Sequence, residues 1–296
     1  MSTIRDFREK HDFPCWCGRT EATVFCSKTT GNHRFVALKC MACGTQRMLP
    51  RVLSDQASAE TLYNEYGAPD VGGQLQVRQS VQRTLERLAE VRVHFAPQSR
   101  VLDVGCGSGL VLEAICQQFG CAGKGIDVDR RRIEKARARS KRATFECGLF
   151  TPANHLGSYD ILLSIAVVEH VVDPVGFLKQ LNLALVQGGR LFLLTPNSRS
   201  LSYRFLRSWW RELLSIGEHI YLFTPESLER CAALADFKLV RLSSAFDYYV
   251  PRLNMSSFRE CLISLWSIHR ELVKRACGCF AGSTTGDILY AHFEKL

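Results

Sequence analysis

The sequence predicts an α/β fold, in which helices cover both faces of a doubly wound, mostly parallel sheet. Segments typical of strands alternate with helical segments from residue 100 onward, and a glycine-rich turn within Val101–Gly109 joins the first strand to the first helix. A second strand ends in an acid, Asp127. We expect seven strands, at Arg100–Val104, Gly123–Val128, Ala143–Cys147, Tyr159–Ile165, Arg190–Thr195, Lys238–Ser244 and Asp287–Glu294.

The composition indicates one large folded domain with a small appendage. The chain has 296 residues, of which 46% are hydrophobic and 23% are charged, so it can bury a full core. No membrane-spanning segment is evident, and the first residues, MSTIRDFREKHDF, lack the apolar part of a secretory signal. We therefore expect a cytoplasmic protein, whose 13 cysteines are reduced thiols or metal ligands.

The N-terminal segment, residues 1–50, resembles a zinc ribbon. Two turns, Cys15-x-Cys17-Gly and Cys40-x-x-Cys43-Gly, are separated by strand-like sequence, although the first turn is one residue shorter than the usual C-x-x-C knuckle. The predicted ligands are Cys15, Cys17, Cys40 and Cys43, with Cys26 or His33 in reserve. A zinc site closed by four protein ligands is structural, because it leaves no open position for chemistry.

A linker and a helix separate this ribbon from the glycine-rich turn. Residues 51–74 are polar and end in Gly-Ala-Pro-Asp-Val-Gly-Gly, which indicates a flexible boundary. Residues 74–95 predict a helix, because their apolar residues recur at intervals of three and four and form one stripe.

The turn after the first strand indicates a nucleotide-type ligand. Its glycines occupy alternate positions, Gly105, Gly107 and Gly109, so a ligand can approach bare backbone. The dinucleotide pattern G-x-G-x-x-G would place the third glycine at Leu110 instead. About twenty residues further on, Asp127 ends the second strand, where a carboxylate can accept hydrogen bonds from both hydroxyls of a ribose.

Four segments carry a family resemblance. Val101–Gly109, Gly125–Asp129, Tyr159–Pro174 and Gly188–Asn197 resemble, in order and spacing, successive motifs of the class I S-adenosylmethionine-dependent methyltransferases. The resemblance covers residues 75–296 and implies a Rossmann-like methyltransferase domain with helical insertions at 198–216 and 252–283. It also implies S-adenosylmethionine as the cofactor and a last strand that lies antiparallel beside the fifth.

The resemblance assigns the cofactor-binding residues by position. Asp103 would hold the ammonium group, Asp127 the ribose, and the glycine loop the methionine part of the cofactor. Many relatives have an acid where this chain has Leu149, so adenine recognition here would rest on backbone groups. The predicted residues are Asp103, Gly105, Cys106, Gly107, Gly109, Asp127, Val128, Leu149, Ser164 and Ile165.

The catalytic residues depend on the acceptor. A methyl group on a cationic sulfur is already activated, so the protein must mainly align the reactants. A hydroxyl acceptor also needs a base, and histidine, with an unperturbed pKa of about 6.5, suits that task. His219 matches a histidine of similar O-methyltransferases, while Glu169 and His170 follow the fourth strand at the mouth of the site. Alternatively, either histidine only forms hydrogen bonds with the backbone.

Aromatic and basic segments leave the acceptor class open. The insertion at 198–216 combines aromatic residues with arginines and is expected to cover the acceptor pocket, with core packing as the default explanation and contact with a membrane surface as the alternative. The net charge is +9, and residues 129–142 concentrate positive charge on a helix. That helix is either a solvated face or a surface for anions such as RNA, acidic lipid or a phosphorylated sugar.

The leading interpretation is O-methylation of a sugar, glycan or related hydroxyl-bearing metabolite. One alternative is an RNA base methyltransferase with a zinc ribbon, although residues 164–167 lack the Asn- or Asp-Pro-Pro-aromatic tetrapeptide of such enzymes. Another is O-methylation of a quinone-like or lipid-linked substrate. A non-catalytic binding module is disfavoured by the intact glycine loop and Asp127.

Overall fold

The computed structural model describes residues 12–30, 33–49, 74–206, 210, 219–246 and 284–296. The predicted linker at 51–74, apart from its last residue, and the predicted insertion at 252–283 lie outside these residues. The insertion at 198–216 is described only at 198–206 and 210. None of the described helices is long and apolar enough to cross a membrane.

The described residues form two sheets flanked by helices. The strands are β1 (Ala22–Thr30), β2 (His33–Cys40), β3 (Gln46–Leu49), β4 (Arg100–Val104), β5 (Ala122–Asp127), β6 (Ala143–Cys147), β7 (Tyr159–Ile165), β8 (Leu185–Pro196), β9 (Tyr221–Leu222), β10 (Phe237–Ala245) and β11 (Ile288–Lys295). The helices are α1 (Gln74–Glu90), α2 (Leu110–Phe119), α3 (Arg130–Arg139), α4 (Pro174–Ala184), α5 (Leu201–Leu206) and α6 (Pro225–Ala233). Short 3-10 helices lie at Pro152–Asn154 and Val168–His170.

The larger sheet confirms the predicted fold class. It has seven strands in the order β10-β11-β8-β7-β4-β5-β6. The strands from β8 to β6 in that order are parallel, and β11 lies antiparallel between β8 and β10, as the resemblance implied. Apolar clusters on the two faces cover it, one with residues of α4 and α6 and the other with residues of α1, α2 and α3.

Two predicted boundaries were wrong for identifiable reasons. Strand β8 begins at Leu185 rather than Arg190, because Leu185 pairs with Tyr159 before a register shift. Helix α1 ends at Glu90 rather than Phe95. Arg92 adopts a left-handed backbone with φ 62°, which stops the helix and turns the chain towards β4.

The smaller sheet joins the N-terminal segment to the rest of the chain. Strands β1, β2 and β3 form an antiparallel meander, and β9 pairs antiparallel with β3 as its fourth strand. Strand β9 comes from the segment just before α6, far along the chain. The ribbon and the larger domain therefore share a continuous set of backbone hydrogen bonds.

A buried carboxylate fixes the helix that follows the glycine loop. Glu113 on α2 accepts hydrogen bonds from the Ser140 hydroxyl at 2.8 Å and from the backbone N–H groups of Lys141 at 3.0 Å and Ala143 at 3.2 Å. Burial raises the pKa of Glu113, but these donors outweigh it and lower the pKa to about 2. The loop between α3 and β6 is thereby tied to α2.

We expect Glu113→Gln to lower the free energy of unfolding at pH 7 by about 1–3 kcal/mol, because an amide cannot accept all these hydrogen bonds. The pKa of Glu113 is lower in the folded state, so its stabilisation is present above pH 4.5 and is lost as the pH falls towards 2. Denaturant titrations at several pH values measure this effect. The exposed Glu134→Gln on α3 is the control, and an equal loss in both variants would contradict the prediction.

Candidate active site

The glycine loop at the end of β4 leaves no space for side chains. Gly105 has φ 79°, and a Cβ atom there would lie 2.3 Å from Cγ2 of Val167. Gly109 has φ 71°, and its Cβ would lie 2.4 Å from the Phe145 ring. Real Cβ atoms do not approach that closely, so both positions require glycine. The backbone of the loop is thus held tightly against β6 and the segment after β7.

Asp127 connects the end of β5 to this loop. Its Oδ2 accepts a hydrogen bond from the Gly107 N–H at 2.7 Å, and its Oδ1 accepts one from the Asp129 N–H at 2.8 Å. Burial raises the pKa of Asp127. Each carboxylate oxygen has a further lone pair, so the group can still accept hydrogen bonds from a diol.

Asp103 and Ser164 are buried polar residues at the carboxyl ends of the adjacent strands β4 and β7. Within the described part of the chain, Oδ1 of Asp103 and Oγ of Ser164 have no hydrogen-bond partner. Burial, followed by the charge of Asp127, raises the pKa of Asp103 to about 8. Because an unpaired buried acceptor costs free energy, this arrangement favours a ligand that brings a positive donor.

The other predicted cofactor residues lie around this centre. Cys106 is half-buried, and burial raises the pKa of its thiol, which therefore stays protonated. Val128 and Ile165 are half-buried at the ends of β5 and β7. Leu149 is 38% exposed and follows Gly148, whose N–H donates to the Asp127 carbonyl at 2.9 Å. The structure therefore brings Leu149 to the rim of the site.

Glu169, His170 and His219 form a second cluster beside the loop. The His170 and His219 ring centroids are 4.8 Å apart. Glu169 is fully buried, and its Oε2 accepts a hydrogen bond from the Thr195 hydroxyl at 2.9 Å. One ligand atom from each of the three residues lies within 4.8 Å of the others. The two histidines that the sequence presented as competitors thus belong to one site.

A strained residue joins the two clusters. Ala166 has φ 56°, a left-handed conformation that is uncommon for alanine, and it lies between β7 and the 3-10 helix with Glu169. The next residue, Val167, packs against Gly105. The sequence placed Ser164 and Ile165 at the site but gave no signal for the backbone conformation of Ala166, which starts the chain towards Glu169.

The four predicted cysteine ligands come together in the ribbon. The Sγ atoms of Cys15 and Cys43 are 3.6 Å apart, those of Cys17 and Cys40 are 3.7 Å apart, and all four lie within 4.8 Å of one another. Tetrahedral zinc with Zn–S bonds of about 2.3 Å needs S···S distances of about 3.8 Å. A hydrogen bond with the Cys15 thiol lowers the pKa of Cys43 to about 5.

The reserve ligand Cys26 lies outside this group. Cys26 lies on β1 and packs with Tyr203 and its neighbours, away from the four-cysteine group. Nothing is described of the His33 side chain.

The basic helix and the aromatic insertion have structural contacts. On α3, Arg139 donates a hydrogen bond to the Ser108 carbonyl in the glycine loop, and Arg137 donates to the Phe145 carbonyl at 2.9 Å. In the insertion, the Tyr203 and Trp210 rings are buried with centroids 4.6 Å apart. Core packing, the default expectation for that stripe, accounts for these two aromatic residues.

The fold and the glycine loop define a class I S-adenosylmethionine-dependent methyltransferase. A family model described as "Methyltransferase domain" matches residues 74–242, more than half of the chain. The chain therefore belongs to this methyltransferase-domain family.

Relatives with assigned names support the same class. The chain is 28% identical over 197 residues to the ubiquinone biosynthesis O-methyltransferase of Xanthomonas campestris pv. campestris strain B100, which covers 60% of this chain and 82% of the relative. It is 31% identical over 127 residues to the enzyme of the same name from Pelagibacter ubique strain HTCC1062. That match covers 40% of this chain and 52% of the relative. The chain is thus an S-adenosylmethionine-dependent methyltransferase.

Solved structures share the fold. A chain from the complex between the Haloferax volcanii Trm112 methyltransferase activator and a methyltransferase matches with a TM-score of 0.56 and 17% identity, covering 82% of this chain and 98% of that one. Geranyl diphosphate C-methyltransferase from Streptomyces coelicolor A3(2) matches with a TM-score of 0.55 and 13% identity, covering 75% and 82%. These matches show the fold alone.

Asn197 has a role that sequence reasoning did not assign. Its amide donates hydrogen bonds to the carbonyls of Thr284 at 2.9 Å and Gly286 at 2.6 Å, and its Oδ1 accepts one from the Arg199 N–H at 2.9 Å. It thus holds the turn after β8 against the start of β11. Asn197 ends the Gly188–Asn197 motif, but only the tertiary structure shows that its side chain is structural.

Proposed function

We propose that this enzyme transfers the methyl group of S-adenosylmethionine to a hydroxyl oxygen of a small-molecule acceptor. The observation that carries the proposal is the group of Glu169, His170 and His219 beside the glycine loop. A hydroxyl must lose its proton as its oxygen attacks, and an imidazole next to a buried carboxylate can take that proton. The relatives named O-methyltransferases support the same reaction.

The cofactor would be held by residues that already fit its charges. When bound, S-adenosylmethionine supplies a methyl group on a positively charged sulfur. Asp103 would accept a hydrogen bond from the ammonium group through its unpaired Oδ1, and Asp127 would accept the ribose hydroxyls. The glycine loop would offer backbone groups, while Val128, Leu149, Ser164 and Ile165 would border the adenosyl part.

We expect Asp103→Asn to stabilise the ligand-free protein and to weaken its cofactor binding. The folded-state pKa of about 8 exceeds the ordinary 3.8, so Asp103 must take up a proton on folding and stability falls as the pH rises through that interval. At pH 7.5 the variant should gain at least about 1 kcal/mol, because one pKa unit corresponds to about 1.4 kcal/mol. Thermal unfolding measures the gain, and calorimetry should show at least a tenfold weaker Kd for S-adenosylmethionine.

Asp160→Asn is the control for that substitution. Asp160 lies at the opposite end of β7 and pairs with Arg100 at 3.0 Å. This variant should keep the affinity for S-adenosylmethionine. Unchanged affinity in Asp103→Asn would remove Asp103 from the cofactor site.

We assign His219 as the base, with Glu169 and His170 as its supporting groups. As the acceptor oxygen attacks the methyl carbon, its proton would pass to an imidazole nitrogen of His219. The buried Glu169 carboxylate would stabilise the resulting imidazolium, and Thr195 would fix that carboxylate by its 2.9 Å hydrogen bond. The three residues are also close enough to hold one cation, so the test must separate the two roles.

The names of the relatives change which class of acceptor we favour. The first expectation, a sugar or glycan, receives no support from them, whereas their shared name favours the quinone-like alternative. We therefore propose a phenolic or quinol hydroxyl as the acceptor. Phe205, 69% exposed on α5, and the adjacent exposed Arg204 offer a surface for the lipid part of such a substrate. RNA remains the second class, supported by the exposed arginines of α3.

Transfer of labelled methyl from S-adenosylmethionine to an isoprenylated catechol, a methyl glycoside and total RNA tests the acceptor class. We expect label in the catechol, and label confined to RNA would overturn the assignment.

His219→Gln should lower kcat at pH 7 by about 100-fold or more, because a positioned base contributes about that much. The exposed His94→Gln should retain full activity.

A chelator distinguishes the two roles of the His219 cluster. Activity retained after dialysis against EDTA and return of Zn²⁺ alone supports His219 as a base. Loss of activity that Zn²⁺ does not restore but Mg²⁺ does would instead assign Glu169, His170 and His219 as cation ligands. Both arms use the same catechol probe.

We also propose that residues 1–50 form a zinc ribbon attached to a methyltransferase domain at 75–296 through the linker at 51–74. Cys15, Cys17, Cys40 and Cys43 would each supply a thiolate, and the sulfur spacing fits tetrahedral zinc.

Elemental analysis should therefore find one zinc ion per chain. Cys40→Ser should lose most of the metal, because a hydroxyl is a poor zinc ligand compared with a thiolate. Cys26→Ser, which alters the same ribbon outside the group, should retain it. Zinc retained by Cys40→Ser at the level of Cys26→Ser would contradict the ligand assignment.

A further inference from the structure

Residues 219–223, which we call the strap, run between the ribbon and the active site. On one side, the strap pairs with β3: Gln46 lies opposite Leu222, Arg47 lies opposite Tyr221, and the Met48 N–H donates to the Ile220 carbonyl at 3.0 Å. The strap begins with His219, the proposed base. The backbone of the ribbon is therefore bonded to the residue that follows this histidine.

The other side of the strap is bonded to the active site. The Ile220 N–H donates to the Glu169 carbonyl at 2.8 Å, and the Phe223 carbonyl accepts from the Ser198 N–H at 2.9 Å. Phe223 also forms a parallel bridge with Asn197. Thus Ile220 accepts from the ribbon through its carbonyl and donates to the active-site helix through its N–H. This single peptide segment sets the distance between His219 and Glu169.

The first cysteine turn contacts the strap, and the second lies close to the residue after it. Trp16, between Cys15 and Cys17, faces the Phe223 ring with centroids 6.5 Å apart, and its Nε1–H donates to the Thr45 hydroxyl at 2.9 Å. Gly44 follows Cys43, and a Cβ atom there would lie 3.7 Å from Cγ2 of Thr224. The four-cysteine group therefore lies close to the end of the strap.

Arg47 links the pairing strand to the first cysteine turn. Its side chain is fully buried, and its guanidinium donates to the carbonyls of Phe13 and Thr20, the latter at 3.0 Å. It also forms an ion pair with Asp12 at 3.2 Å. Phe13 in turn packs edge-on against Tyr221, with centroids 6.1 Å apart. A displacement of the first cysteine turn would therefore disturb β3, which pairs with the strap, and Phe13, which packs against Tyr221 in the strap.

We propose that the ribbon is the positioning element of the acceptor half of the active site, and that zinc at the four cysteines fixes His219 through Trp16, β3 and the strap. The inference rests on the proposed function, because it takes the cysteines as zinc ligands and His219 as the base. The cofactor half is built separately, from the ends of β4 and β5. Loss of ribbon contacts should therefore lower kcat while cofactor affinity is retained.

The strap needs the other ribbon contacts because its pairing with β3 is short. Only two residue pairs join β3 to β9, so the strap depends on the ring contacts and on the rigidity of the cysteine turns for its alignment. The fully buried apolar residues Val36, Leu38 and Leu49 lie on the strands of the ribbon, so without the metal the two cysteine turns would lose their cross-link. A shift of about 1 Å at a catalytic group costs up to about 100-fold in rate.

The test uses the full-length, zinc-loaded protein and the variant Trp16→Ala, which removes the contact with Phe223 but no sulfur ligand. Met41→Ala, which alters a 64% exposed residue beside Cys40, is the matched control. Trp16→Phe keeps a ring at this position, so this variant should behave much like the parent protein. Zinc content, hydrogen exchange, histidine NMR and calorimetry with S-adenosylmethionine are measured on each protein.

We expect Trp16→Ala to keep its zinc and to bind S-adenosylmethionine within twofold of the parent. Amides of residues 219–224 should exchange at least tenfold faster, and the ¹³C resonance of the His219 ring, assigned with His219→Gln, should shift. The His292 resonance is the internal reference, because this buried ring forms a 3.1 Å hydrogen bond with the Val91 carbonyl, outside the ribbon and the strap. With the catechol probe, kcat should fall at least tenfold while KM for S-adenosylmethionine is unchanged.

Unchanged exchange and an unchanged His219 resonance, both in Trp16→Ala and after chelation of the zinc, would overturn the positioning role and leave the proposed function intact. A parallel loss of cofactor affinity would also overturn it, since the ribbon would then support the whole fold. A parent protein without zinc would overturn both this inference and the zinc assignment. Loss of strap protection on zinc removal, reversed by adding Zn²⁺, supports the inference.

Discussion

The close contact between the glycine loop and its neighbours is the constraint on which the active site depends. Gly105 and Gly109 leave spaces that Val167 and the Phe145 ring occupy. These contacts hold the end of β4 against β6 and against the segment after β7. Because that segment continues directly into the helix with Glu169, the same packing fixes the cofactor half and the acceptor half relative to each other.

The proposed cofactor half also carries acids that would favour a cationic ligand. The buried Asp103 and the half-buried Asp127 lie at the ends of adjacent strands, and burial raises the pKa of both. Such an arrangement is unfavourable in the free protein and becomes favourable when a positive ligand binds. The site therefore trades stability of the folded chain for affinity, as functional sites commonly do.

The appendages of the chain are integrated into this site rather than attached beside it. Strand β3 of the ribbon pairs with the strap next to His219, and Tyr203 of the insertion donates a hydrogen bond to Gln46 on the same strand. The basic helix α3 likewise contacts the glycine loop through Arg139. Features that look independent along the chain thus contact the strap, its pairing strand or the glycine loop.

Much of the fold could be predicted because local patterns decide it. The strand bounds at Arg100–Val104, Ala143–Cys147 and Tyr159–Ile165 were confirmed. The start of β8 depends on its pairing with Tyr159 of β7 and was missed. The resemblance to the family likewise predicted that the last strand is antiparallel. Backbone conformations set by tertiary contacts, such as that of Ala166, left no trace in the pattern.

The sequence by itself determined the class of enzyme, the glycine loop and the two acids at the strand ends, because glycine spacing and strand-end position are local properties of the chain. Only the tertiary structure decided that His170 and His219 share one site with Glu169, and that the ribbon bonds to the strap. The reason is that these contacts join residues far apart in the sequence, through hydrogen bonds and ring packing that no periodicity encodes.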